Sequence, residues 1–187
     1  MKLINWLEER KLNQLLAYFV APICLMFYYR QGGIVDGFDP NNSLRDLGVL
    51  TRAGDSVIHG FSPYNDDGHW MKYGTIVSVP YGIVGFLLNA KVLFIFSQIL
   101  NLLGIWFFIK VFFSLNQVKF AQVYFLTIAT SAFREIFVDA QVMGHIAGFI
   151  ALGKYLLDKE RESWSGKLLH FLGITSLMFA VDLKPNL

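Results

Sequence analysis

The sequence predicts an all-α, polytopic membrane protein with about five transmembrane helices and an amphipathic helix in its first outer loop. Hydrophobic residues make up 55% of the 187 residues and charged residues 16%, with a mean hydropathy of +0.47. Soluble domains average about 45–50% apolar and about 25% charged residues. Several apolar runs also approach the roughly 20 residues that a helix needs to cross a bilayer. Lys and Arg concentrate in a few of the turns between these runs.

Five apolar runs are predicted to be spans. The first, residues 12–29, follows a charged start without a small-residue cleavage site, so it is interpreted as an uncleaved anchor that Pro22 kinks. The others lie near residues 90–113, 118–134, 139–157 and 168–183. The apolar segment 74–88 is shorter and contains Pro80 and several glycines, which predicts an interfacial or re-entrant piece. Residues 1–187 are therefore expected to form one membrane domain, with 30–89 as an outer loop.

The basic residues predict the orientation of the chain. If the spans lie as predicted, the following residues share one side: Arg10, Lys11, Lys110, Lys119, Lys154, Lys159, Arg161 and Lys167. An excess of Lys and Arg marks the cytoplasmic side, so the N-terminus is expected there. The formal net charge of +2 is too small to indicate a nucleic-acid partner. The single cysteine, Cys24, cannot form an internal disulfide.

The outer loop contains the pattern of a short capped helix over residues 44–59. Ser43 and Asp46 have the spacing of a capping box, and Gly60 stands where a helix C-terminal glycine is expected. Apolar and polar positions recur on separate faces of that helix: Leu47, Leu50, Gly54 and Val57 on one, and Arg45, Arg52, Ser56 and His59 on the other. The loop is therefore expected to hold an amphipathic helix at the membrane surface, with its apolar stripe towards the bilayer or the neighbouring spans.

Three motifs, in order along the chain, resemble those of a known enzyme family. They are the first-loop series Asp46-Leu47, Ala53-Gly54, Gly60 and Ser62-Pro63-Tyr64, then Gln141 where a span opens, then Leu183-Lys184-Pro185 at the end of a later span. Together they resemble the polyprenyl-phosphate-dependent glycosyltransferases of the GT-C fold, and glycosyltransferase family 87 in particular. Ala140 and Met143 depart from that family's Gly-Gln-x-Asn pattern. Family members have about twice as many spans, so the chain resembles the N-terminal half of a GT-C fold.

The resemblance implies a bacterial plasma-membrane enzyme that moves a sugar from a polyprenyl-phosphate donor to an acceptor hydroxyl on the outer face, with inversion. Mannose is the sugar implied, with arabinose or glucose as alternatives, and the acceptor is left open between a glycan, a lipid or a protein. The donor is a substrate, and no separate cofactor is expected. Asp46 would be the general base. Cations would stabilise the leaving phosphate, and the candidates are Arg45, Arg52, His59, His145 and Lys184. Sugar or acceptor contacts are assigned to Tyr64, Asn65, Trp70, Tyr73 and Gln141.

Each of these assignments has a simpler structural alternative. A carboxylate in a first helical turn, such as Asp46, also stabilises the helix terminus. The aromatic residues are also typical of a membrane-interface belt. His145 lies inside a span, where it would be either a functional group or a neutral imidazole hydrogen-bonded across helices. Gly144 and Gly148 favour close packing within the chain over dimerisation.

Two further alternatives concern a metal site and the class of protein. The run Asp66-Asp67-Gly68-His69 matches no metal-site spacing and is interpreted as a solvated turn, so no metal is predicted. A non-catalytic membrane scaffold, a lipid-phosphate-binding accessory subunit or an inactive fragment would account for the same basic and apolar pattern. A small transporter is disfavoured because no matching pair of broken helices is visible.

Overall fold

A computed structural model of the protein describes residues 10–31, 46–62, 75–138, 141–159 and 163–183. Within these ranges the chain is helical and contains no strand, which confirms the predicted all-α class. The helices are α1 (Arg10–Arg30), α2 (Asp46–Ile58), α3 (Thr75–Leu87), α4 (Ala90–Phe112), α5 (Gln117–Ile128), α6 (Ser131–Val138), α7 (Met143–Leu157) and α8 (Trp164–Asp182).

Three of the described helices, α1, α4 and α8, are long and apolar enough to cross a membrane. A fourth span exists if α6 and α7, which are bent by 106° at their junction, form one broken span. These helices mark the chain as an integral membrane protein, although the predicted count of five spans is not confirmed. The 12 residues of α5 and the 15 of α7 are about 18 Å and 22 Å long, whereas the bilayer core is about 30 Å thick.

The predicted span at 118–134 is divided into α5 and α6, because side-chain hydroxyls form hydrogen bonds with the backbone groups at the break. The Thr130 hydroxyl donates to the carbonyl of Thr127 (2.7 Å) and accepts from the backbone N–H of Phe133 (3.2 Å). A threonine that bonds to nearby backbone competes with the helical ladder. The Tyr28 hydroxyl from α1 satisfies the carbonyl of Ile128 at the end of α5 (3.2 Å). These hydrogen bonds therefore stabilise the break between α5 and α6.

The helix α1 accommodates Pro22 by a change of helical pitch. Residues Leu16–Val20 form a π-helical turn, in which the N–H of Ala21 bonds to the carbonyl of Leu16. Proline has no N–H to donate, and local π-helical adjustment is a common response in membrane helices. Many of its large apolar side chains are exposed, including Tyr18 (72%) and Phe19 (59%), as expected for a helix that faces lipid.

The helix predicted at 44–59 is observed as α2, Asp46–Ile58. Gly60 has φ +77°, and Phe61 N–H bonds to the Ser56 carbonyl (2.8 Å) while Gly60 N–H bonds to the Val57 carbonyl (3.1 Å). This is the Schellman arrangement, which needs a residue that tolerates positive φ. The predicted cap Ser43 lies outside the described residues. The apolar stripe of α2 faces neighbouring helices, because Leu47 and Leu50 are fully buried.

Close glycine contacts join three pairs of helices. A Cβ atom on Gly54 of α2 would lie 2.6 Å from the backbone nitrogen of Gly82 in α3. Between α4 and α7, a Cβ on Gly148 would lie 3.0 Å from the Cα of Gly104. Between α7 and α8, a Cβ on Gly153 would lie 2.6 Å from the side chain of Leu177. Small residues let membrane helices approach this closely, and the contact at Gly148 confirms packing within the chain.

The helix contacts place Lys110, Lys154 and the start of α1 at one end of the bundle. Helix α4 runs parallel to α7, since Ser97 contacts His145 near one end and Phe107 contacts Tyr155 near the other. Helix α8 runs antiparallel to α7, because His170 near its start bonds to Lys159 after α7, while Ser176 further along bonds to Phe149. Lys110 and Lys154, in the last turns of α4 and α7, therefore lie at the same end. The N-terminal part of α1 joins this end through an Asn13–Val118 hydrogen bond (3.1 Å). We call it the basic end.

Candidate functional site

The three motif regions singled out from the sequence meet at the end of the bundle opposite the basic end. Leu50 in the first half of α2, Val142 at the start of α7 and Leu183 at the end of α8 belong to one buried apolar cluster. Asp46 is the first residue of α2, and Lys184 directly follows Leu183. Residues as far apart in sequence as Leu50 and Leu183 are thus brought to one place, which we call the motif end.

Several predicted site residues lie outside the described part of the chain. Six lie outside the described residues: Arg45, Tyr64, Asn65, Trp70, Tyr73 and Lys184. For Asp46 the structure describes the backbone at the start of α2 and not the side chain. The solvated turn predicted at 66–69 also lies outside the described residues.

Arg52 in α2 and His59 just after it, two of the predicted phosphate contacts, lie at different distances from the start of that helix. At 1.5 Å per residue, Arg52 lies about 9 Å along the helix from Asp46 and His59 about 20 Å. Arg52 is half-buried. The His59 side chain is 55% exposed, and its Nδ1 lies 3.0 Å from the carbonyl of Asp55 and 3.3 Å from its carboxylate. The structure therefore does not bring His59 to Asp46, because the shared helix face predicted from the sequence extends over the whole length of α2.

His145 lies in a buried hydrogen-bond network between three helices. Only 6% of it is exposed. Its Nε2 lies 2.9 Å from the backbone carbonyl of Ser97 in α4, and its Nδ1 lies 2.6 Å from the hydroxyl of Tyr81 in α3. A carbonyl only accepts, so Nε2 donates, and in the neutral ring Nδ1 accepts from the Tyr81 hydroxyl. Both ring nitrogens are thus engaged within the protein, as in the cross-helix alternative, and neither points to an open phosphate-binding surface.

Two polar side chains of α4 hold the junction between α6 and α7. The Asn101 side-chain amide donates to the carbonyl of Gln141 (2.9 Å), and its oxygen accepts from Gly144 N–H (2.9 Å). The Gln98 amide donates to the carbonyl of Phe137 (3.3 Å) and its oxygen accepts from Asn101 (3.1 Å). A helix break inside a bundle leaves backbone groups that need such partners. Gln141 contributes its carbonyl to this network, while its half-buried side chain was the group predicted to contact sugar.

Sequence reasoning missed Tyr81, Ser97, Gln98 and Asn101. The last three do carry a signal, because they are polar residues on one side of α4, the most apolar of the three described helices that are long enough to span a membrane. Polar residues within a spanning helix usually face the bundle interior. Tyr81 carries little signal, because an aromatic residue in a short apolar helix is ordinary.

Two apolar cavities lie beside the His145 network. The proximal cavity, about 160 Å³, is lined by Leu47, Pro80, Tyr81, Val84, Leu93, Phe96, Ser97, Leu100, His145 and Phe149. The distal cavity, about 390 Å³, is lined by Tyr81, Leu100, Leu103, Gly104, Trp106, Phe107, His145, Gly148, Phe149 and Leu152. The proximal cavity reaches Leu47, the residue after Asp46, and the distal cavity extends between α4 and α7 towards the basic end. Such linings suit hydrocarbon, since apolar surface is favourably removed from water.

The described residues contain no group of three or more His, Cys, Asp or Glu side chains that could hold a metal ion. Comparisons of the chain with protein-family models, with curated proteins and with solved structures found no match.

Proposed function

We propose that the protein is a membrane glycosyltransferase that moves a sugar, mannose in the first instance, from a polyprenyl-phosphate donor to an acceptor hydroxyl. The observation that carries the proposal is the position of the proximal cavity. It begins at Leu47, next to Asp46, at the end of the bundle where Val142 and Leu183 also meet. An apolar cavity for the lipid chain therefore reaches the residue that follows Asp46, whose carboxylate the reaction would use.

The chemistry assigns a distinct role to each part of the motif end. The acceptor oxygen attacks the anomeric carbon, the carbon–oxygen bond to the phosphate breaks, and polyprenyl phosphate leaves with its electron pair. The Asp46 carboxylate takes the proton of the acceptor hydroxyl as the new bond forms. Arg45, Arg52 and Lys184 are the cations that would stabilise the leaving phosphate. A single displacement of this kind inverts the anomeric centre.

We infer that the basic end faces the cytoplasm and that the motif end lies at the outer face of a bacterial plasma membrane, with about five passes of the chain. Support comes from the grouping of Lys110, Lys154 and the start of α1 at one end, since cytoplasmic turns are rich in Lys and Arg. The two short helices α5 and α7 would each complete a pass together with adjoining residues.

Cysteine labelling in intact cells tests this orientation. In a Cys24→Ala background, Ser62→Cys, after α2, is expected to react with a membrane-impermeant maleimide added from outside. Ser114→Cys, between α4 and α5, is expected to react only after permeabilisation. Both positions are exposed, so access across the membrane decides the result. Labelling of Ser114→Cys alone in intact cells would reverse the orientation.

A non-catalytic lipid-phosphate-binding protein is the second candidate. The observation that favours it is the composition of the cavities, whose polar lining groups Tyr81, Ser97 and His145 bond to one another. The cavity linings can therefore hold a hydrocarbon chain but offer no free polar group for a reaction. Any catalysis would depend on residues at the motif end alone.

Transfer from a lipid-linked donor separates the two candidates. Vesicles containing the purified protein would receive polyprenyl-phosphate mannose with a labelled sugar and a mixture of glycolipid and glycan acceptors. We expect labelled product and free polyprenyl phosphate, and no product from a nucleotide-activated mannose. Saturable donor binding without product or release of polyprenyl phosphate would support the non-catalytic candidate instead.

A further inference from the structure

The proximal and distal cavities meet at Tyr81. Four residues line both cavities: Tyr81, Leu100, His145 and Phe149. Leu100 belongs to α4, and His145 and Phe149 belong to α7, so these three form a common floor along the two helices. Tyr81 is the shared residue from α3. Tyr81, which borders both cavities from α3, is therefore the candidate for a partition between them.

The position of the Tyr81 ring depends on His145. The hydroxyl donates to His145 Nδ1 at 2.6 Å, and the phenol ring stacks on the imidazole with centroids 5.8 Å apart and planes 15° apart. The backbone beside it is fixed, because Gly82 packs against Gly54 and leaves no room for a side chain. A change at the partition is therefore a rotation of the Tyr81 side chain that breaks one buried hydrogen bond.

We propose that Tyr81 is a specificity-determining gate that sets the length of hydrocarbon chain admitted beside Asp46, an inference that rests on the proposed function. With Tyr81 bonded to His145, a chain entering at Leu47 ends at the phenol ring. When the ring turns away, the two cavities join and a longer chain reaches Trp106 and Leu152.

An isoprenoid chain is the occupant that the groove fits. The cavity linings are almost entirely apolar side chains, and they lie against α4, which is long enough to cross a membrane. Water would be unfavourable there, whereas the surrounding bilayer supplies hydrocarbon. From Phe96 to Phe107 the groove follows α4 for about 17 Å, which accommodates several isoprene units in line.

Photolabelling with probes of two lengths tests the gate. Geranyl phosphate and geranylgeranyl phosphate, each with a diazirine at the tail, would be added to the full chain in vesicles, and labelled peptides mapped. Loss of one buried hydrogen bond in Tyr81→Phe is expected to raise labelling of the distal segments, residues 103–107 and 148–152, by the longer probe about fivefold. Labelling by the shorter probe is expected to stay at the proximal residues 93–97.

Two further variants make the test specific. Tyr81→Leu removes the ring and is expected to raise distal labelling at least as far as Tyr81→Phe. Tyr124→Phe is the matched control, because the Tyr124 hydroxyl also makes a cross-helix bond, to the Leu102 carbonyl (3.2 Å), and lines neither cavity. The control is expected to label like the wild type. Thermal unfolding of each variant in detergent would establish that the labelled protein is folded.

The gate is overturned if the longer probe labels the distal segments equally in the wild type and both Tyr81 variants, because the chain would then enter from the bilayer without passing Tyr81. Its failure and that of the proposed function are distinguishable. Labelling that responds to Tyr81 in a protein that transfers no sugar would retain the gate and remove the transferase. Sugar transfer by a protein whose labelling does not depend on Tyr81 would retain the transferase and remove the gate.

Discussion

Replacing Asp46 by Asn is expected to lower the rate of sugar transfer about 100- to 10,000-fold, the usual contribution of a general base. Asn keeps the size and shape of the side chain and removes its capacity to take a proton. Donor binding is expected to change little, because the proposed phosphate contacts come from other residues. The measurement is the single-turnover rate of transfer at saturating donor, which separates the chemical step from binding.

Asp55→Asn is the matched control for this substitution. Asp55 is on the same helix, carries the same group and is exposed, with its carboxylate 3.3 Å from His59. An exposed pair of this kind contributes about 0–1 kcal/mol to stability, so the control is expected to fold normally. It is also expected to retain the wild-type transfer rate, because Asp55 lies about 13 Å along α2 from Asp46.

Replacing Asn101 by Ala is expected to destabilise the protein by about 3 kcal/mol. The change leaves the Gly144 N–H, the Gln141 carbonyl and the Gln98 side-chain oxygen without the partner that each has now. Unpartnered buried groups cost about 1–3 kcal/mol each, and cross-helix hydrogen bonds in membrane proteins average nearer 0.6 kcal/mol. Three groups at about 0.6–3 kcal/mol each would cost about 2–9 kcal/mol in all, and the expected loss lies near the lower end of that range. Denaturation in mixed micelles measures the change in the free energy of unfolding.

Asn116→Ala provides the comparison for Asn101→Ala. Asn116 is exposed and caps α5 by accepting from Lys119 N–H (2.9 Å), so its loss should cost about 1 kcal/mol. Hydrogen exchange gives a second readout, because Asn101→Ala should increase exchange in residues 141–146 and Asn116→Ala in residues 117–120. Equal destabilisation by the two variants would show that Asn101 does not hold the junction between α6 and α7.

The sequence predicted the parts of the fold that depend on local pattern. Helix α2 is predicted because Gly60 and the apolar spacing of Leu47 and Leu50 are local signals. The apolar segment around Pro80 is shorter than a span, as its length indicates, while its interfacial or re-entrant placement stays a prediction. The break at Thr130 was not predicted, because threonine is common within spans and its effect depends on Tyr28 from another helix. The predictions for the site residues divide in the same way, into local and long-range features.

Among the site residues, the sequence located the motif regions and the structure arranged them. The meeting of Leu50, Val142 and Leu183 depends on long-range packing that no local pattern specifies. His145 was recognised as unusual from its depth in an apolar run, but its partners Tyr81 and Ser97 come from two other helices. The placement of His59 far from Asp46 follows from helix length, which the shared-face argument did not include.

The most direct test of the proposed function is the ratio of two transfer rates, that of Asp46→Asn over that of Asp55→Asn, measured in vesicles with equal amounts of folded protein. Catalysis by the Asp46 carboxylate predicts a ratio of about 0.01 or less, with donor binding equal in the two variants. A ratio near one would contradict it, and would leave Asp46 as a residue that stabilises the start of α2 and nothing more.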